Sequence, residues 1–100
     1  MIKHVVMFKL TEFADPEAKT AKMQEIKERL EALTGVIDCL KSIRVDFNVN
    51  PEETWDLILT AELPTLEDVK TYAMHPAHVA VSKEVIVPVK ADRACVDYEF

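Results

Sequence analysis

The segment Tyr72–His78, with the sequence YAMHPAH, concentrates the residues of this chain that can move protons. It holds two of the three histidines, His75 and His78, on either side of Pro76. An imidazole with a pKa near ~6.5 accepts and returns a proton at neutral pH. A tyrosine hydroxyl can orient such a ring or donate a hydrogen bond to a developing enolate oxygen. This combination is typical of proton abstraction next to a carbonyl group, the step on which aldol cyclisation and isomerisation depend.

A metal site is the competing interpretation of these histidines. His75 and His78 are three positions apart and can share one side of a helix. Zinc sites, however, need three or four ligands. His4 is the only other histidine, and no pair of carboxylates converges by spacing. Cys39 and Cys95 match no metal or redox spacing, so two buried, reduced thiols are predicted. We therefore expect no metal ion and no other cofactor.

Each of these residues also has a structural interpretation. His75 is favoured as a helix N-cap or turn residue with its ring hydrogen-bonded to the backbone. His4 lies in an apolar alternation, where a core histidine is the commoner arrangement. Tyr72 is favoured as a core residue. For His78, a place in the first turn of a helix and a place on the wall of a functional pocket are about equally favoured. Residues six apart lie on different faces of a continuous helix, so the break at Pro76 must redirect the chain if Tyr72 and His78 are to meet.

The hydrophobic pattern predicts the elements that position these side chains. Residues 2–10 alternate as a strand, with His4 on the more apolar face, and further strands are predicted over 36–47, 55–63 and 93–100.

Helix signals lie between the predicted strands. Asp15 and Pro16 predict a helix start, and Gly35, the only glycine, predicts a left-handed end. Thr65 opens a second helix with a capping box. His75 and Pro76 break that helix, and a further helix can follow until Pro88 limits it.

The resulting order βαββαβ predicts a ferredoxin-like α+β fold in one domain over residues 1–100. It contains a four-stranded antiparallel sheet with helices on one face. The second and fourth strands then form opposite edges, which separates Cys39 from Cys95. The other sheet face needs a cover, because an exposed apolar patch usually marks a partner surface. We therefore predict a homodimer through the sheet faces. The residues expected on that face are Val5, Met7, Leu40, Ile58 and Cys95.

Charge and hydropathy exclude two classes of partner. The formal net charge of -6 argues against nucleic acid, which would need a basic face. No apolar run approaches the ~18 residues of a membrane span, so no membrane partner is expected. The chain enters a strand-like run directly, without a signal-peptide pattern, and a cytoplasmic location is expected.

Three segments carry a family resemblance. IKHVVMFKL, TWDLILTAEL and YAMHPAH, at these spacings, resemble the stress-responsive A/B barrel (Dabb) family over essentially the whole chain. The resemblance implies a dimeric α+β barrel, in which two ferredoxin-like protomers face each other through their sheets. Many bacterial members of the family have no assigned activity. Its plant members include stress-induced proteins and a polyketide cyclase, olivetolic acid cyclase.

The resemblance to the cyclase implies roles for particular residues. His78 corresponds to the histidine that ends the HPAH run, Tyr72 to its tyrosine partner, and His4 to a pocket-lining histidine. The cyclase has a further histidine in its third strand, where this chain has Leu57. The resulting hypothesis is that His78 is the catalytic base and Tyr72 assists it.

Two functions stay open at this point. One is an enzyme, a cyclase or isomerase acting on a small, partly apolar, polyketide-like or carbonyl compound, with His4, Phe8 and His75 lining the pocket. The other is a non-catalytic, stress-associated ligand-binding or structural dimer.

Overall fold

The computed structural model of the protein describes residues 1–100 and contains four strands and three α-helices. A five-residue π-helical turn over Ser82–Ile86 links the last helix to the last strand. In chain order the elements are β1 (Ile2–Leu10), α1 (Pro16–Glu31), β2 (Ser42–Phe47), β3 (Leu57–Leu63), α2 (Leu66–Met74), α3 (Pro76–Val81) and β4 (Lys90–Glu99).

The four strands form one antiparallel sheet in the order β2-β3-β1-β4. The predicted ferredoxin-like α+β fold is confirmed, with β2 and β4 at opposite edges. The central strand β1 pairs His4 with Ala61 of β3 on one side and with Asp97 of β4 on the other. This register places Asp97 on the same sheet face as His4.

The core lies between the sheet and the helices. Alternate residues of β1 and β3 face inward, as the period-two pattern predicts. Helix α1 contributes Ile26 and Leu30 to the core, and Leu33 joins them from the turn that follows. Each such aliphatic side chain stabilises the fold by about 1.5–3 kcal/mol on burial. His4, at 7% exposure, is the one polar residue among the buried positions.

The predicted helix starts are confirmed by their caps. The Asp15 side chain accepts a hydrogen bond from the Glu17 amide at 2.9 Å, and the Thr65 hydroxyl accepts one from the Asp68 amide at 3.1 Å. The end of α1 differs from the prediction, since the helix stops at Glu31. Gly35, with a φ of 85°, lies in the turn that follows.

Three strand boundaries also differ from the prediction. Residues 36–41 form turns rather than the start of β2, because Ile37 and Leu40 reach the core without ladder pairing. The third strand starts at Leu57, two residues later than expected, and β4 starts at Lys90, three residues earlier.

The second face of the sheet carries three of the five residues that were predicted there. Val96 and Tyr98 on β4 are 55% and 45% exposed, and the half-buried Val5, Met7 and Ile58 lie on the same face. Leu40 and Cys95 were wrongly predicted there.

Leu40 belongs to the core, and Cys95 lies on the helix side, next to His4. Both cysteines are unpaired as expected, but the prediction of burial is wrong: Cys39 is half-buried and Cys95 is exposed on the edge strand. None of the helices is long and apolar enough to cross a membrane.

Candidate functional site

A cavity of about 110 Å³ lies between the sheet and the helical segments that follow β3. Its wall combines strand residues with residues of α1, α2, α3 and the π-helical turn. The lining residues are His4, Val6, Phe8, Leu30, Leu59, Tyr72, Ala73, His78, Ser82, Ile86, Lys90 and Arg93.

The break before Pro76 brings Tyr72 and His78 together. His75 has an extended backbone (φ −62°, ψ 135°), because a residue that precedes proline is excluded from the helical region. Its ring Nδ1 accepts a hydrogen bond from the Ala77 amide at 3.0 Å, so the predicted N-cap role of His75 is confirmed. After this corner the ring centroids of Tyr72 and His78 are 4.5 Å apart.

The tautomer of His78 follows from its hydrogen bond. Its Nδ1 lies 3.0 Å from the carbonyl oxygen of Ala73, and a carbonyl oxygen can only accept. Nδ1 therefore carries the hydrogen, which leaves the lone pair on Nε2. Burial lowers the pKa of His78 below its ordinary value and outweighs this hydrogen bond, which raises it. At neutral pH the ring is uncharged, and its Nε2 is a free base.

Tyr72 places an unpartnered hydroxyl inside the protein. The residue is 1% exposed, and its Oη is the one buried side-chain oxygen or nitrogen without a hydrogen-bond partner. Burial raises the pKa of the phenol well above its ordinary value, so the hydroxyl stays protonated. Unpaired buried polar groups are costly and rare in proteins, so this hydroxyl is an unusual feature of the interior and has a free hydrogen-bond donor.

A carboxylate that was not predicted orients the third imidazole. Asp97 Oδ1 lies 2.5 Å from His4 Nδ1, and the His4 ring stands edge-on to Tyr72 with 5.9 Å between centroids. As in His78, Nδ1 is engaged and Nε2 has no protein partner. Sequence spacing could not find this pair, since the partners are 93 positions apart and meet only through the β1–β4 register.

The region where β1 pairs with β4 around His4 also holds three atoms that could bind a metal ion. Donor atoms of His4, Cys95 and Asp97 lie within 4.8 Å of one another, a grouping that spacing along the chain did not reveal. The Nδ1 of His4 is, however, already hydrogen-bonded to Asp97. Burial and the charge of Asp97 raise the pKa of the Cys95 thiol, which favours the protonated form over the thiolate that metals bind. This group of His4, Cys95 and Asp97 is better suited to holding a proton than a metal ion.

The predicted site residues separate into two groups. His4, Phe8, Tyr72 and His78 lie on the cavity wall, while His75 lies outside it and caps α3. The wall also contains three polar residues that had not been predicted: Ser82, Lys90 and Arg93. Lys90 lay outside the predicted fourth strand, and no sequence pattern marks the other two.

Comparison with known proteins identifies the family of this chain. The model of the Stress responsive A/B Barrel Domain family matches residues 2–100. A stress-response A/B barrel domain-containing protein of Arabidopsis thaliana is 29% identical over 99 residues. That match covers 98% of this chain but 36% of the plant protein, so the chain spans about a third of that relative.

Two solved structures extend the comparison. A dimeric protein of unknown function with a ferredoxin-like fold from Bacteroides fragilis is 46% identical, with a TM-score of 0.91 over 99% of this chain and 95% of that one. A hydroxynitrile lyase from Passiflora edulis has a TM-score of 0.77 at 12% identity, over 97% of this chain and 90% of that one. The second likeness shows the fold alone. The match over residues 2–100 establishes that this chain belongs to the stress-responsive A/B barrel domain family.

Proposed function

We propose that this protein is a small-molecule enzyme that moves a proton next to a carbonyl group, as a cyclase or isomerase of polyketide-like or other carbonyl compounds. His78 is the general base, and Tyr72 is the donor to the carbonyl oxygen. The observation that carries the proposal is the meeting of a neutral imidazole and an unpartnered buried hydroxyl, 4.5 Å apart between ring centroids, on the wall of one cavity.

The reaction begins with transfer of one proton. Nε2 of His78 takes a hydrogen from the carbon next to the substrate carbonyl, and the electron pair of that C–H bond moves to form the enolate. The Tyr72 hydroxyl donates a hydrogen bond to the enolate oxygen without losing its proton. The enolate carbon then attacks a second carbonyl carbon, which closes a ring, and the alkoxide that forms takes the proton back from Nε2 of His78. Alternatively, the enolate regains that proton from His78 at another position, which isomerises the compound. A positioned base and an oxyanion donor typically contribute about 10²–10⁴-fold and 10²–10³-fold in rate.

His4 completes this chemistry as a second proton carrier. Asp97 accepts the hydrogen bond from Nδ1, so Nε2 of His4 can accept a proton while His78 acts as the base. The carboxylate also stabilises the imidazolium that forms when His4 accepts a proton, as carboxylate–histidine pairs do in other enzymes. Asp97 is thus a positioning residue that acts through His4.

Hydrogen–deuterium exchange tests the proposal without a known substrate. Small ketones are incubated in D₂O with the protein, and NMR measures exchange at the carbon next to the carbonyl. We expect exchange with the native protein and about 10²-fold less with His78→Gln or Tyr72→Phe. The control is His75→Asn, which keeps a capping side chain outside the cavity and should retain full activity.

Two results would overturn the enzymatic proposal. One is exchange that is equally fast with His78→Gln. The other is binding of ketones in the cavity with no exchange above the protein-free rate, which would favour the non-catalytic ligand-binding dimer.

We also propose that the protein forms a homodimer through the open face of its sheet. Val96 and Tyr98 are about half exposed on that face, and Phe100 at the end of the chain is 55% exposed. The Bacteroides fragilis relative, 46% identical to this chain, is a dimer. Burying the open face against a second copy would remove this apolar surface from water.

A further inference from the structure

The cavity wall has a charge opposite to that of the whole chain. The chain has 18 acidic and 12 basic residues, for a net charge of -6. The wall, in contrast, contains the cations Lys90 and Arg93 and no carboxylate. Asp97, the acidic group that contacts the wall residue His4, is engaged with His4 Nδ1. Lys90 and Arg93 are therefore the only charged residues on the wall itself, and the carboxylates nearest along β4 are Asp92, which accepts a hydrogen bond from the Arg93 amide, and Asp97.

Neither cation is neutralised by the protein itself. Six of the twelve basic side chains form ion pairs with carboxylates, namely Lys3, Lys19, Lys22, Lys27, Arg29 and Arg44. Lys90 and Arg93 have no carboxylate within 4.0 Å. The positive charge of Arg93 nevertheless acts on the interior, since it lowers the proton affinity of both Tyr72 and His78. The guanidinium lies beside the Cys95 thiol, whose proton affinity it also lowers, but it forms no ion pair, so its positive charge can attract an anion from outside.

The wall residues differ sharply in exposure. Lys90 and Arg93 are exposed to solvent, whereas Tyr72 and His4 are 1% and 7% exposed. The volume of about 110 Å³ has room for several water molecules or a small organic group. A short carbonyl group fits the enclosed part, and a charged end fits the mouth.

We propose that the ligand of this cavity is a short-chain oxo acid. Its carboxylate lies between Lys90 and Arg93, and its carbonyl oxygen accepts the hydrogen bond of Tyr72. The position of the carbonyl rests on the proposed function, whereas the carboxylate site rests on the unpaired cations alone. Lys90 and Arg93 thus select for charge and orient the substrate, and the chemistry stays with the histidines.

The test compares pyruvate with pyruvamide, which has nearly the same size and shape but no charge. Binding is followed by NMR shifts of the His78 and Tyr72 ring signals. Pyruvate is expected to bind about tenfold more tightly than pyruvamide at low salt. The preference should shrink in 0.5 M NaCl, where a Debye length of roughly 4 Å screens exposed charges.

Charge variants assign the preference to the two cations. Arg93→Gln and Lys90→Gln should each reduce it, and the double variant should abolish it. Lys70→Gln is the matched control, because Lys70 is exposed on α2, lies outside the cavity wall and forms no ion pair. Lys70→Gln should bind pyruvate like the native protein.

The outcomes separate this inference from the proposed function. Equal binding of the two probes, binding of neither, or a preference that survives the double variant would overturn the oxo-acid inference. Exchange of ketone hydrogens that depends on His78 would still leave proton transfer intact. Conversely, pyruvate binding that depends on Arg93, without any exchange of its methyl hydrogens, would support the anion site and overturn the enzymatic proposal.

Discussion

At the residue scale, removal of the Tyr72 hydroxyl should have opposite effects on stability and on activity. Because this buried group has no partner, its removal relieves a desolvation cost of about 1–3 kcal/mol. Tyr72→Phe should therefore keep or raise the free energy of unfolding, measured in urea, while it slows ketone exchange about 10²-fold.

Tyr98→Phe is the matched control for this prediction. Tyr98 is the other tyrosine, and it is 45% exposed on the opposite sheet face. It should change neither the urea midpoint nor the exchange rate. A clear loss of stability in Tyr72→Phe would show that the hydroxyl has a structural partner and would contradict its role as a free donor.

The lowered pKa of His78 makes a prediction about pH. Below pH ~6.5 the unfolded chain takes up a proton at this position, while the buried imidazole resists it. The contribution of His78 to stability is therefore fully present above pH ~6.5 and is lost as pH falls toward its folded pKa. Urea unfolding between pH 7.5 and 5 should show a smaller fall in stability for His78→Gln than for the native protein.

NMR titration of the His78 ring provides the direct measurement. The midpoint should lie below 6.5, and the acid limb of the exchange rate should have the same midpoint. A midpoint at or above 6.5 would contradict the burial of His78 in the cavity.

At the element scale, the corner between α2 and α3 determines whether the site exists. Proline at position 76 keeps His75 extended and so points His78 back toward Tyr72. Pro76→Ala permits helical continuation, which would place the two rings on different faces. We expect a loss of about 0.4–1 kcal/mol in stability, from greater freedom of the unfolded chain, and a much larger loss of exchange activity.

Pro16→Ala is a well-matched control, because Pro16 occupies the same first helical position in α1. It should cost a similar amount of stability and leave exchange unchanged. NOE contacts between the Tyr72 and His78 rings should disappear only in Pro76→Ala. Retention of these contacts and of activity would show that packing, rather than the proline, directs the corner.

The sequence predicts features that depend on neighbouring residues, such as this corner, but not those that depend on strand register. The capping residues, the apolar alternation and the His-Pro break depend on neighbours in the chain. They predict the order βαββαβ and the break that an approach of His78 to Tyr72 requires. The pairing of His4 with Asp97 depends on the register of β1 against β4, which a period-two pattern leaves undetermined. Ile37 and Leu40 show a second limit of the pattern. Their apolar spacing predicts a strand, but they lie in turns and are nevertheless buried in the core.

At the scale of the whole molecule, the two faces of the sheet have different roles. The helix side holds the core and the cavity, and the open side presents Val96 and Tyr98 to water. A stable dimer usually buries more than about 1,000 Å². The open face of the four-stranded sheet could supply such an area without covering the helices.

Val96→Lys tests this assembly. Val96 lies on β4 opposite Val5 of the central strand, so a lysine there would place a charge within the proposed interface. A buried, unpaired charge is strongly unfavourable, so the variant should sediment as a monomer at micromolar concentration, whereas the native protein should sediment as a dimer. Val49→Lys is the control, since Val49 is 93% exposed in a loop between β2 and β3 and should leave the dimer intact. A native protein that sediments as a monomer, or a Val96→Lys protein that stays dimeric, would exclude the open sheet face as the interface. Cavity binding that persists in the Val96→Lys monomer would further show that the site is complete within one chain.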